Sequence, residues 1–134
     1  MITEDYVSFE VAKLLKEKGF DGDTSCYYTP DNEKRWGYQH YQDFDKKDRI
    51  ECPTLQMAMK WLRTKNIFID VFHYNSKMAP FVWVIFAYNV LTPQRVDTYE
   101  EAEEAAIKYV LENWDDVNKV LDEYYKYDNL LPKI

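Results

Sequence analysis

The residues of this chain whose types could do chemistry are two histidines, two cysteines and several closely spaced carboxylates, and their spacing limits what each can do. Nucleophilic catalysis needs a Ser, Cys or Lys beside a base, and the only histidines are His40 and His73. His73 falls in phase with Ile67, Ile69 and Val71 on an apparent strand, where a core or edge histidine is the plainer reading. His40 lies in Trp36-Gly-Tyr-Gln-His-Tyr41, an aromatic run holding one of the 3 glycines, so a ring-lined surface groove is conceivable there. Trp36, Tyr38, His40 and Tyr41 are therefore the candidate binding residues, weighed against a strand whose alternate rings simply pack on helices. No catalytic residue is assigned.

Metal and cofactor chemistry find little support. Cys26 and Cys52 fit no short metal or redox spacing and read as reduced thiols; with His40 and His73 they would give four zinc ligands, but without the closely spaced pairs of such sites. Asp43, Asp45 and Asp48 superficially resemble a calcium loop, yet the glycine for its sharp turn and the terminal bidentate glutamate are missing. A carboxylate-bridged di-metal bundle would need Glu-x-x-His, and neither histidine has a glutamate three residues earlier. Three scattered glycines form no phosphate-cradling loop. The expectation is no cofactor and no metal.

The elements that would position these residues read as follows. Ser8 caps a helix carrying Phe9, Ala12 and Leu15, which Gly19 closes. Ser25–Tyr28 and Trp36–Tyr41 look like short strands around the polar turn that begins at Pro30, and residues 43–51 read as loop. Pro53 and Thr54 open a second helix with Leu55, Ala58, Met59 and Leu62 on one stripe, ended by Asn66. Residues 67–74 and 81–88 read as a hairpin with a long loop, one face of which sets Asp70 between Phe68 and Phe72. Arg95–Asp97 could add an edge strand. Thr98 and Glu101 have capping-box spacing ahead of a helix, with a break expected at Asn113–Asp116.

Residues 12–20 align without gaps on residues 59–67, and Gly19 and Asn66 are the residue types that best tolerate a left-handed helix end. The expected fold is α+β, one domain over 1–134, with an antiparallel sheet of four or five strands packed by three to four helices. It would contain a duplicated α-β-β unit over 8–41 and 54–88 and a helical segment over 98–128; chance similarity of two amphipathic helices is the competing explanation.

Composition bounds the rest. At 134 residues, 46% apolar and 31% charged, the chain is globular, and with 4 Trp, 12 Tyr and 7 Phe most rings must fill the core. The net charge of −7 is uneven: residues 1–96 carry 13 acidic and 13 basic side chains, residues 97–134 carry 11 and 4. The plainer reading of that acidic block is a solvated helix face, and ordinary nucleic-acid binding through it is disfavoured. The start has neither a basic nor an apolar signal region, and the run Phe81–Tyr88 is too short to span a bilayer, so a cytoplasmic protein is expected.

Three segments, Asp5–Phe20, Pro53–Arg63 and Tyr99–Asn113, resemble a family of small uncharacterised proteins from gut Bacteroidales genomes and their phage-like elements. The resemblance implies a small cytoplasmic protein borne by a phage or mobile element, with no assigned activity and no catalytic residues to carry over. The 115–134 extension looks longer than the usual ending of that family.

The leading expectation of function is a non-enzymatic protein-interaction module whose partner is an unidentified host or phage protein, since Tyr and Trp most often anchor such contacts. A homodimer through an exposed aromatic C-terminal helix is a further expectation. Two rivals come from other features. The acidic C-terminal helices could imitate nucleic acid and inhibit a host protein, and the order α-β-β-β-α over 54–113 is shared with small double-stranded-RNA-binding modules, which need a basic face.

Overall fold

A computed structural model of the chain describes residues 2–37, 48–75, 77–90 and 94–128. The chain divides into two compact units, 1–61 and 62–134, with the division inside a helix. Its architecture is α+β, as expected, but the strands form two antiparallel sheets of three and two strands instead of one sheet.

In the first unit, helix α1 (Phe9–Glu17) begins where the Ser8 hydroxyl accepts the N–H of Val11 at 3.2 Å, satisfying one of the donors that a helix start leaves unpaired. Its Val11, Ala12 and Leu15 are buried. The helix ends in a Schellman motif: Gly19 takes φ +92°, its N–H reaches Lys16 C=O, and the N–H of Phe20 closes on Leu15 C=O at 2.9 Å. Strand β1 (Cys26–Tyr28) is central, pairing Cys26 with Trp36 and Tyr28 with Lys34 on β2 (Lys34–Trp36), and Tyr28 with Ile50 on β3 (Ile50–Glu51). All three residues of β1 are buried, and α1 packs against β3.

Two local expectations are corrected here. The second strand starts at Lys34, because Asn32 at φ +67° and the bonds between Thr29 and Glu33 close the turn early. The stretch 43–51 is not all loop, since Ile50 and Glu51 form β3; Pro53, which lacks an N–H, limits that strand to two residues. The chain near Val7 then runs antiparallel to 53–55, with Val7 N–H on Pro53 C=O and Leu55 N–H on Asp5 C=O.

Helix α2 (Leu55–Thr64) spans the division between units. Thr54 caps it, accepting the Met57 N–H at 3.1 Å. Its end repeats that of α1: Asn66 sits at φ +62°, its N–H reaches Arg63 C=O, and the N–H of Ile67 closes on Leu62 C=O at 3.0 Å. The order α-β-β therefore occurs twice, as α1-β1-β2 and as α2 followed by β4 (Ile69–His73) and β5 (Phe81–Ile85).

The second unit is built on the β4–β5 hairpin, whose register sets Ile69 opposite Ile85, Val71 opposite Trp83 and His73 opposite Phe81. That face is covered by helix α3 (Tyr99–Glu112), through Ala102, Ala106, Ile107, Val110 and Leu111, all buried. Burying an aliphatic side chain contributes roughly 1.5–3 kcal/mol and the Thr98 cap about 1 kcal/mol, so the cap sets where α3 starts and the stripe sets where it lies. Asn113 leaves helical geometry at φ −115° and ψ 32°, and α4 (Trp114–Asp128) follows, which realises the expected break.

The expected edge strand at 95–97 is reduced to one bridge, in which Val96 and Phe81 exchange two backbone bonds. The third strand of an RNA-binding-like order is thus a single residue among those described. On the opposite side, Phe68 and Tyr74 bond toward β5, so Ile69, Val71 and His73 turn their backbone N–H and C=O groups outward, and no described strand pairs with β4 there. Among the described residues no helix is long and apolar enough to cross a membrane.

Candidate functional site

Of the four residues singled out for binding, Trp36 lies within the described residues, while Tyr38, His40 and Tyr41 lie outside them. Alternation along β2 points Lys34 and Trp36 to one face, and the Trp36 ring is 50% exposed. Tyr6 meets it edge-on, with ring centroids 5.0 Å apart. Lys34 Nζ lies 4.8 Å from the Tyr6 centroid, 5.0 Å from that of Trp36 and 5.9 Å from that of Tyr28, a cation held over three rings. The result is a small aromatic surface with a positive centre. It can hold an apolar or anionic contact.

A larger apolar surface occupies the second unit. Opposite the α3-covered face of the hairpin, Phe68, Phe72, Val84 and Phe86 are 40%, 49%, 39% and 45% exposed, with exposed Asp70 paired against Val84 between them. Phe86 meets Tyr124 of α4 edge-on at 5.3 Å, and Tyr124 meets Tyr125 at 5.4 Å, so the surface continues onto the last helix. The sequence showed an acid among aromatics on this face, but alternation could not say which side α3 would cover.

The residues with reactive side chains are placed for structure. Cys26 of β1 and Cys52, just past the end of β3, are both buried, and there Cys52 N–H bonds to Cys26 C=O at 3.2 Å and the Cys26 thiol donates to Cys52 C=O at 3.3 Å. The hydrogen bond with Cys52, followed by burial, pushes the Cys26 thiol well above its usual range, which keeps it protonated and unreactive. Their separation in sequence hid this adjacency. His73 is exposed at the end of β4, edge-on to Phe81 at 5.1 Å. Asp43, Asp45 and His40 lie outside the described residues, and among those described no group of three or more His, Cys, Asp or Glu could hold a metal ion.

The acidic start of α3 is less uniform than its sequence suggests. Glu100 and Glu101 are exposed in the first turn, whereas Glu103 is 3% exposed. The Tyr99 phenol is pushed up by burial, then by the carboxylate of Glu103.

One concavity was not anticipated. A groove of about 970 Å³ lies between the chain at Ala87–Val90 and the junction of α3 with α4, with Trp83 and Tyr109 among its walls. The Tyr88 hydroxyl donates to Asp116 Oδ2 at 2.5 Å across it, and this bond holds the phenol above its ordinary range. Its residues are spread over nearly forty positions of sequence, so no local spacing could have signalled it. No family model, no curated protein and no solved structure matches the chain.

Proposed function

We propose that this protein is a non-enzymatic protein-interaction module, and the observation that carries the reading is the exposed face of the β4–β5 hairpin. Four large apolar side chains, Phe68, Phe72, Val84 and Phe86, stand together on a two-stranded sheet whose other face is already filled by α3. Contiguous apolar surface on a folded chain marks contact sites, and aromatic residues supply most of the anchoring energy in them. Lys34, Trp36 and Tyr6 form a second, smaller contact surface on the first unit. The partner in this reading is a host or phage protein met in the cytoplasm, with homodimerisation as the alternative use of the same face.

The test is affinity capture with the wild-type chain, a Phe68→Ser/Phe72→Ser variant and a Trp36→Ala variant, each verified by circular dichroism. A partner recovered by wild type and lost by the hairpin variant, then reproduced with purified protein, supports the reading. Equal recovery by both folded variants removes it.

A further inference from the structure

The geometry points to a ligand site in the groove beside the α3–α4 junction: we infer that it binds a small organic cation bearing an alkylated ammonium group. Tyr88 and Tyr109 would cup the cation and Asp116 would balance its charge. The site lies wholly within the second unit and does not use the hairpin face proposed above for a partner protein.

Volume and shape come first. About 970 Å³ is at the upper end of what small-molecule sites enclose. Trp83, only 5% exposed, forms the floor, and Tyr109 lies 5.3 Å from it with the rings tilted by 48°. Tyr88 and Tyr109 have centroids 6.1 Å apart and planes inclined at 59°, so they make an open corner and do not stack. A cation seated in that corner lies within about 6 Å of both ring centres, the range in which the negative face of an aromatic ring attracts it.

Charge decides the class of ligand. Lys108 Nζ lies 3.8 Å from Glu112 one turn along α3, and these two largely cancel. Asp116 accepts a hydrogen bond from the neutral Tyr88 phenol, which leaves its negative charge in place, and among the described residues no cation is paired with it. The groove therefore presents beside two rings a carboxylate that no described cation neutralises and that the first turn of α4, where it sits, offsets only in part. An anion would be repelled, and a neutral apolar ligand would leave Asp116 unused. A metal ion would have too few ligands among the described residues. An alkylated ammonium fits because its alkyl groups contact the rings, it carries no strongly bound hydration shell, and its charge answers Asp116.

The test is a nuclear magnetic resonance titration of the full ¹⁵N-labelled chain at constant ionic strength with choline, tetramethylammonium and the neutral choline isostere 3,3-dimethylbutan-1-ol. The expected result is saturable shifts at the Trp83 indole and the Tyr88, Tyr109 and Asn113 amides with both cations. Binding of the alcohol should be about five-fold weaker or worse, the ratio that about 1 kcal/mol of cation–ring and charge interaction produces. Asp116→Asn, an isosteric change at an exposed position, should weaken choline without affecting the alcohol. Equal affinity for alcohol and choline, an unchanged choline affinity in Asp116→Asn, or no groove shifts up to about 50 mM cation would each overturn the assignment.

Discussion

Phe20 and Ile67 occupy equivalent places in two copies of one helix ending, each closing its N–H on the carbonyl five residues back, Leu15 at 2.9 Å and Leu62 at 3.0 Å. The equivalence was visible as a gapless match of 12–20 with 59–67, and the left-handed residues Gly19 and Asn66 fall at the same step of both motifs. Because a Cβ at Gly19 would meet nothing within 4 Å, the cost of filling that position is a backbone cost. Gly19→Ala is expected to destabilise by about 1 kcal/mol, Asn66→Ala by somewhat less, and Asn66→Gly to be near neutral, all read from urea midpoints at constant m. A neutral Gly19→Ala would show that the motif does not hold the end of α1.

The bond between Tyr88 and Asp116 makes a pH prediction whose sign is fixed. The folded phenol holds its proton more tightly than the unfolded one, which loses it near pH ~10. The stabilisation is therefore complete below that pH and declines as pH rises through the folded value. Since the pair is largely exposed, solvent screening keeps the effect small. Urea midpoints measured between pH ~8 and ~11 should fall more steeply for wild type than for Tyr88→Phe. Identical slopes would mean that the hydrogen bond has no thermodynamic weight.

Lys34 over Trp36 is testable by a double-mutant cycle with Lys34→Met and Trp36→Leu. The expected coupling is about 0.5–1 kcal/mol, the usual range for an exposed cation over a ring, and it should persist at high salt better than a surface ion pair would. A coupling within error of zero would leave Trp36 free to rotate away from the lysine.

Cys26 and Cys52 should resist aromatic disulfide reagents in the native state and react only as fast as the first unit opens. Both are essentially inaccessible, and Cys26 is held protonated. Rapid labelling of either thiol without denaturant would contradict the buried β1–β3 pairing.

The parts of this fold that were legible in sequence are those written in local chemistry. Ser8, Thr54 and Thr98 announced three helix starts because a short hydroxyl side chain can satisfy only the donors next to it. Asn113 and the long-looped hairpin were readable for similar reasons. Strand β3 was not, because Ile50 and Glu51 are too few to show alternation and become a strand only by pairing with Tyr27 and Tyr28. The division into two sheets also escaped, since strand partners are set by tertiary pairing. Of the proposed binding residues Trp36 alone lies among those described, where it is half exposed. The groove was invisible because Trp83, Tyr88, Tyr109 and Asp116 meet only through the packing of separate elements, the end of β5, α3 and the start of α4.

The side of β4 with which no described strand pairs carries a liability as well as an opportunity. Ile69-Asp-Val-Phe-His73 has no proline and no lysine, the usual guards against edge-to-edge growth of sheets, and its outward backbone groups would template any extended chain that came near. Within that strand the single carboxylate of Asp70, flanked by phenylalanines, is what breaks an otherwise amyloid-prone run. Along this edge, therefore, resistance to strand-on-strand growth rests on one exposed aspartate.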